Sequence, residues 1–333
     1  MQKVKPRVTL KDIADAVGVT KMTVSRYLRE PETVSQKTRI KIAASIESLG
    51  YIKSRLPSAL SKTGNKTIGM VMVNMPDEVS GRLIKGIEPE LRANGYEILI
   101  KYCIDDESAE EAQVTSLLSY EVDAIMLTRS AHTARTRQLL KASGVPVVEC
   151  LSLPDAPLDI AVGINHELAA FEAVYQLVNA GCTDIVCLAH TTEALTQRCV
   201  NGYRRAIKQA GLPEMIIEST SDTPFSAGRD MLNDALAQFE TIDGLFCTHD
   251  NIAAGAFLCA QEYGLEIPDD LRVIGYHHLD IGQVLAPALT SVSTFAQQVG
   301  KKSAQLLLAR LHNETVNELT VELDFNIESG GSV

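Results

Sequence analysis

The 333-residue chain contains no tryptophan, and only 5 % of it is aromatic. It has no apolar run near the roughly 18 residues that would suggest a bilayer span. Its start, MQKVKPRVTLKDIAD, carries basic residues with no apolar stretch behind them, which reads against a secretory signal. Seven cysteines are present, but none forms a CxxC pair and no His stands at ligand spacing, so neither a redox couple nor a zinc ribbon is expected. They lie mostly in apolar segments, as reduced, buried thiols do, and a cytoplasmic location follows. Missing too are GxGxxG after a strand, GxxxxGK[ST], GxSxG and HExxH, the signatures of many nucleotide-, serine- and zinc-dependent enzymes. The expectation is a protein that binds without catalysing, with no cofactor and no metal.

What is present is unevenly charged. Residues 1–66 hold 14 Lys and Arg against 5 Asp and Glu, a net of +9, while the remainder holds 17 against 37, a net of −20. A basic head on an acidic body points to a polyanionic partner for the head alone. The head has a regular apolar pattern, unlike a solvated tail. Thr9-Leu-Lys-Asp12 has the form of a capping box, followed by Leu10, Ile13, Ala14 and Val17 as one stripe and Gly18 as a stop. Thr20 caps a second helix with Val24, Tyr27 and Leu28 inward. Ser35 caps a third with Ile40, Ile42, Ala43, Ile46 and Leu49 inward, ended by Gly50. Two short helices joined by Gly-Val-Thr, closed by a third, predict a helix-turn-helix. Lys21, Met22, Thr23, Ser25, Arg26 and Arg29 stay outside on the second helix. There, Lys or Arg can read guanine edges and Met can pack on a thymine methyl.

The string VTLKDIADAVGVTKMTVSRYLREPETVSQKTRIKI…GYI resembles the DNA-binding head of the lactose-repressor (LacI/GalR) family. The resemblance implies base reading by Lys21, Met22 and Arg26, and backbone contacts from Thr9, Thr23, Ser25 and Thr38. IKSRLPSALSKTGNKT follows, too poor in apolar residues for a core. In the family this stretch becomes a hinge helix whose leucine wedges into the minor groove, a place that Leu60 occupies. Lys53 and Pro57-Ser58 depart from the family's usual residues here.

From Thr67 the chain alternates strand-like and helical patterns. The strands are expected at 68–73, 96–102, 123–128, 145–150, 158–164, 184–189, 215–220, 243–248 and 271–276, with a closing helix at 295–312 and a strand at 319–327. Such a rhythm means parallel sheets with helices on both faces, and two rounds of it mean two lobes with a cleft at the strands' C-terminal ends. The fold class is therefore an all-α helix-turn-helix head plus an α/β two-lobed core, similar to the family's periplasmic-binding-protein-like core. The expected division is 1–52 (head), 53–66 (hinge) and 67–333 (core), with a first lobe at about 67–163 and 293–318 and a second at about 164–292 and 319–333.

Where sugar-binding relatives place an Asp after Gly-Tyr, this chain has His277-His278, then Asp280. His249 stands where relatives often carry Asn, and LTRSAHTART supplies Arg129 and His132. Imidazoles and an arginine fork favour an acidic ligand. The strings HLDIGQ, LTRSAHTART, PVVE and LDIAVG resemble the gluconate/idonate-responsive branch, and imply effector contacts from Arg129, His132, Glu149, Arg198, His249, His277, His278 and Asp280. Alternatives stay open at several places. One of the pair 277–278 is structural, His132 serves either the cleft or the cap of the helix near Thr133, and, with Cys199 where the family usually has an arginine, either Arg198 stands in or that contact is lost and specificity differs. His190 and His312 read as ordinary strand-end or surface residues.

The partners expected are double-stranded operator DNA, a gluconate-like sugar acid and a second copy of the chain, with no membrane. No leucine-heptad tail precedes Val333, so a homodimer is expected rather than a tetramer. A neutral sugar as ligand, or a sugar-modifying protein with an incidental head, are the alternatives.

Overall fold

The computed structural model describes residues 8–52, 66–73, 77–190, 194–221 and 223–333. All but Lys66 of the expected hinge, including Leu60, lies outside these described residues.

Helix α1 (Leu10–Val17) opens at a reciprocal cap. The Asp12 amide donates to the Thr9 hydroxyl at 3.4 Å, and the Thr9 amide donates to the Asp12 carboxylate at 2.7 Å. Gly18 then turns the chain at φ 75°, a left-handed angle that costs glycine little. Helix α2 (Lys21–Arg29) begins at Thr20, whose hydroxyl accepts from the Thr23 amide, and α3 (Gln36–Leu49) follows a short 3₁₀ turn. The core of this head is small: Ile13, Ala14, Val24, Val34 and Ile42 are buried, with Tyr27, Leu28, Ile46 and Leu49 packed at its edge. Two expectations for α3 fail. Ile40 and Ala43 are exposed, because the inward stripe runs through Ile42, Ile46 and Leu49 and leaves those two on the solvent side. The Ser35 hydroxyl pairs with that of Thr38 at 2.9 Å instead of capping an amide.

The first lobe runs β1 (Thr67–Val73), α4 (Glu78–Ala93), β2 (Glu97–Cys103), α5 (Glu107–Ser119), β3 (Ala124–Leu127), α6 (Ala134–Ser143), β4 (Val147–Ser152) and β5 (Ile160–Ile164). The second runs α7 (His166–Asn179), β6 (Ile185–His190), α8 (Ala194–Ala210), β7 (Met215–Ser219), α9 (Pro224–Gln238), β8 (Gly244–Cys247), α10 (Asp250–Glu262), β9 (Arg272–Tyr276), α11 (Asp280–Gln283) and β10 (Thr290–Ser293). The chain then returns through α12 (Ala296–Leu311), β11 (Thr320–Glu322) and β12 (Asn326–Glu328). The two sheets have the orders β11-β5-β4-β3-β1-β2 and β12-β10-β9-β8-β6-β7, parallel except for the β10–β12 pair. The strands' near-continuous apolar runs follow from helices covering both faces.

Strand β10 was not among the expected strands; its Thr-Ser-Val-Ser sequence carries a single large apolar residue, and neighbours on both sides make it a strand. The expected strand at 319–327 is two short ones. Residues 320–322 extend the first sheet beside β5, and 326–328 pair with β10 in the second, so assigning all of 319–333 to the second lobe is corrected. The split arises because the chain changes lobes here, its third crossing after those at 164–166 and 293–296. All seven cysteines are free and buried, and no helix among the described residues is long and apolar enough to cross a membrane.

Candidate functional site

Two surfaces carry the candidate residues. On the head, α2 presents Lys21, Met22, Arg26 and Arg29 to solvent, with Met22 70 % exposed. No acidic residue lies in its first turn, so its positive end is left open to an anion. The hydroxyls expected to meet a backbone are occupied locally. Thr9 is bound to Asp12, Thr23 to Thr20 at 2.9 Å, Thr38 to Ser35, and Ser25 accepts from Arg29 at 3.1 Å. The bonds from Thr9 hold the Asp12 carboxyl below the usual range.

The second surface is a cleft of about 170 Å³ between the lobes, at the C-terminal ends of their strands. That is below the span of drug-sized pockets, so it suits a small polar molecule. The first lobe contributes Asp77, Ser80, Asp105, Thr128, Arg129, Ser130 and Ser152; the second contributes His190, Thr196, Thr248, His249 and His277. Arg129, with its side chain 12 % exposed, pairs through Nη1 with Asp105 and donates Nε–H to the Ala131 carbonyl at 2.9 Å. Asp77 caps α4, accepting from the Ser80 amide at 2.8 Å, and faces His249 Nε2 across the cleft at 3.4 Å. Burial would raise its pKa, but these hydrogen bonds outweigh burial and keep it ionised well below the ordinary carboxylate range. His249 Nδ1 accepts from the Asn251 amide at 3.1 Å, so its Nε2 carries the proton directed at Asp77.

His277 packs edge-on against His249, with ring centroids 5.3 Å apart. Burial, with His249 beside it, holds it neutral far below the usual imidazole range. It and His278 both adopt left-handed backbone angles, φ 89° and 50°. Such a turn survives only where its surroundings fix it. Here the Val292 carbonyl accepts from the His277 amide at 2.7 Å, the Ser291 hydroxyl from the His278 amide at 3.0 Å, and the buried Asp250 carboxylate from the Leu279 amide at 2.6 Å. Arg82 of the first lobe reaches over to donate to the His278 carbonyl at 2.8 Å, and Glu78 accepts from the Asp280 amide at 3.2 Å.

Of the eight expected effector residues, the structure brings three, Arg129, His249 and His277, into the cleft. His132 and Glu149 are sealed beneath it, with His132 bound to both Glu149 and Glu110. Arg198 instead faces Asp155 at 3.4 Å, and its neighbour Cys199 is buried in the second lobe's core. His278 turns away to Gln283, and Asp280 is exposed on α11. His132, Glu149 and Asp280 are thus corrected, while His278 is the structural member of its pair and Arg198 follows the alternative in which its contact is lost; helical and turn geometry sends near neighbours in sequence to different faces. His190 corrects the opposite way, since as the last residue of β6 it lines the cleft. Asp77 and Asp105 were missed, although each follows a strand's C-terminal end, where ligands meet such sheets. No group of three His, Cys, Asp or Glu able to hold a metal occurs among the described residues.

The family description "Bacterial regulatory proteins, lacI family" matches residues 9–54, and "Periplasmic binding protein-like domain" matches residues 174–333. The chain is 37 % identical over 329 residues to the HTH-type transcriptional regulator GntR of Escherichia coli (strain K12), covering 99 % of each. It is 33 % identical to the HTH-type transcriptional regulator IdnR of the same strain, over 98 % of this chain and 99 % of that one. A solved LacI-family regulator from Silicibacter pomeroyi superposes with a TM-score of 0.75 at 26 % identity, covering 98 % of this chain and 99 % of that one.

Proposed function

This chain belongs to the lacI family of bacterial regulatory proteins, and on that footing we propose that it represses transcription by binding a near-palindromic operator as a homodimer, under the control of a small sugar acid. That it is a DNA-binding transcriptional regulator rather than an enzyme follows from its family and its relatives. In the proposed complex, α2 enters the major groove and places Lys21, Met22 and Arg26 at base edges. Thr9, Thr23, Ser25, Arg29 and Thr38 lie along the phosphates, their hydroxyls exchanging local partners for phosphate oxygens. Two-fold symmetry of a dimer is what a near-palindromic site reads out.

The effector reading rests on one observation: among the described residues a single arginine stands in a small cleft whose polar lining is carboxylates, hydroxyls and imidazoles, with Val73, Val79, Leu151 and Leu195 as its apolar part. Asp77 and Asp105 accept hydroxyl protons, the serines, threonines and histidines serve a polyol chain, and Arg129 supplies the cation for one carboxylate. Nε and Nη1 of Arg129 are in use, and among the described residues Nη2 has no partner, which leaves it for the ligand. Gluconate and its epimers have this chemistry, one carboxylate on a chain of hydroxyls. A ligand touching both lobes favours their closed arrangement, and its differential affinity for two dimer geometries sets operator binding.

Calorimetric titration of the protein with gluconate, idonate, 6-phosphogluconate and glucose in parallel tests this reading. Binding of a sugar acid without binding of glucose is the expected result. Glucose alone binding would replace the acid by a neutral sugar, with Asp77 and Asp105 as its anchors, and binding of none would remove the effector assignment.

A further inference from the structure

Beneath the cleft lies a buried group that effector contact does not explain. His132 Nδ1 is 2.6 Å from Glu110 Oε2, and Nε2 is 3.0 Å from Glu149 Oε1, with all three side chains almost wholly inaccessible. The second Glu149 oxygen accepts from the Leu158 amide at 2.6 Å. The second Glu110 oxygen is buried without a partner among the described residues.

We propose that His132, Glu110 and Glu149 are positioning residues for effector binding, a buried post that holds the 129–133 segment so that Arg129 stays set in the cleft. The proposal deepens the sugar-acid reading and rests on it for its consequence in affinity. Its geometry stands on the segment itself. At the upstream end Thr128 is tied to β1, its amide donating to the Val71 carbonyl at 3.2 Å and its hydroxyl accepting from the Val73 amide at 3.2 Å. At the downstream end Thr133 caps α6 and donates its hydroxyl to Glu111 at 2.6 Å. Between them the backbone bends so that the Ala131 carbonyl meets Arg129 Nε–H, and the next side chain, His132, drives into the interior.

The same element serves both ends of this arrangement. Asp105, which pairs with Arg129, stands just ahead of α5, and α5 carries Glu110 and Glu111. A shift of α5 relative to the segment would therefore disturb Asp105–Arg129 and Glu110–His132 together. Burial would push the His132 ring toward neutrality, but its bonds to the two carboxylates outweigh burial and lift its pKa to about 9. Burial pushes the Glu110 carboxyl up as well, so a proton is held between the ring and Glu110 while both ring nitrogens stay bonded to a carboxyl oxygen. A buried charged group of this kind adds little stability over apolar packing of the same volume. What it adds is a fixed direction, since a ring bonded at both nitrogens to held carboxyls admits one orientation.

The test uses the full chain labelled with ¹⁵N-arginine, and follows exchange of the Arg129 Nε–H with water in the absence of ligand. The signal is assigned by its loss in Arg129→Lys. In His132→Gln and in Glu110→Gln, the latter nearly isosteric in case the first fails to fold, this exchange is expected to quicken by about tenfold or more. Gluconate affinity is expected to fall by about two- to tenfold, the effect of having to order a long side chain on binding. In an Arg129→Ala background the same substitutions should change gluconate affinity by less than about twofold. Unchanged Arg129 exchange in a folded variant, or an equal loss of affinity with and without Arg129, would overturn the proposal. If the unsubstituted chain binds no gluconate while Arg129 exchange responds to His132→Gln, the sugar-acid reading fails and the positioning role stands.

Discussion

Ile40 and Ile42 lie two residues apart on α3, one 64 % exposed and the other fully buried, and the head's stability should depend on them very differently. The head's core is five buried apolar side chains. Domains of this size rarely hold more than roughly 3–5 kcal/mol of stability from a single core. Ile42→Ala removes the transfer energy of the side chain and leaves a cavity among Ile13, Val24 and Val34, a loss of about 2–5 kcal/mol. Ile40→Ala removes solvated atoms and should stay within about 0.5 kcal/mol. At about 4–8 °C per kcal/mol for a domain this small, Ile42→Ala lowers the head's melting midpoint by at least about 8 °C, and Ile40→Ala by at most about 4 °C. Differential scanning calorimetry of the full chain, with limited proteolysis to mark which part melts, reads both. Effector binding should persist in each variant. Equal shifts for the two substitutions would refute the assignment of α3's inward face.

Other consequences follow from single contacts. A Cβ at Gly275 would fall 2.1 Å from an Asp250 oxygen and 2.6 Å from Leu289. Gly275→Ala should therefore lower the core's melting midpoint and loosen the turn carrying His277, seen as weakened effector binding; a melt like that of the unsubstituted chain would contradict the packing. His166 donates Nε2–H to the Leu151 carbonyl at 3.1 Å and accepts from the Tyr276 hydroxyl at 2.8 Å, and burial lowers its pKa to about 4. The unfolded ring titrates near 6.5, so between about 6.5 and about 4 the unfolded state binds the extra proton and stability falls as pH falls, by roughly 3 kcal/mol at most. Asp250, lifted to about 6 by burial, acts in the opposite direction over part of this window. Urea unfolding of His166→Phe beside the unsubstituted chain should show the difference between them shrinking from pH 7 toward pH 4.5, and parallel curves would refute the buried neutral ring. Met22→Ala or Lys21→Ala should relax preference at a few operator positions and leave binding to random duplex nearly intact; a uniform loss across sequences would argue against base readout.

The helices of the head and the parallel strands were legible because their residues agree at every level, with caps at Thr9 and Thr20, a turn at Gly18 and apolar runs of strand length in the body. Strand β10 escaped because its residues are mostly small and polar, and only pairing with β9 and β12 makes them extended. The cleft was legible at Arg129, His249 and His277, each at or just after a strand's C-terminal end. His132, Glu149 and Asp280 carry the right chemistry in the right strings, yet whether a side chain meets the cleft or the interior depends on turns that no periodicity encodes. His190 was legible only as a strand end and Asp77 not at all, because their meeting with residues of the other half depends on how the two lobes face each other.

The central claim is that one chain couples a sugar acid in the cleft to a DNA-reading head. Its most direct test is fluorescence anisotropy of a near-palindromic duplex, selected in vitro by the protein itself, titrated with the chain in the presence and absence of saturating gluconate or glucose. The account predicts that gluconate changes operator affinity by at least about fivefold, that glucose does not, and that Arg129→Ala keeps operator binding while losing the response. An operator affinity indifferent to every sugar acid, or an Arg129→Ala protein that responds as the unsubstituted chain does, would contradict it.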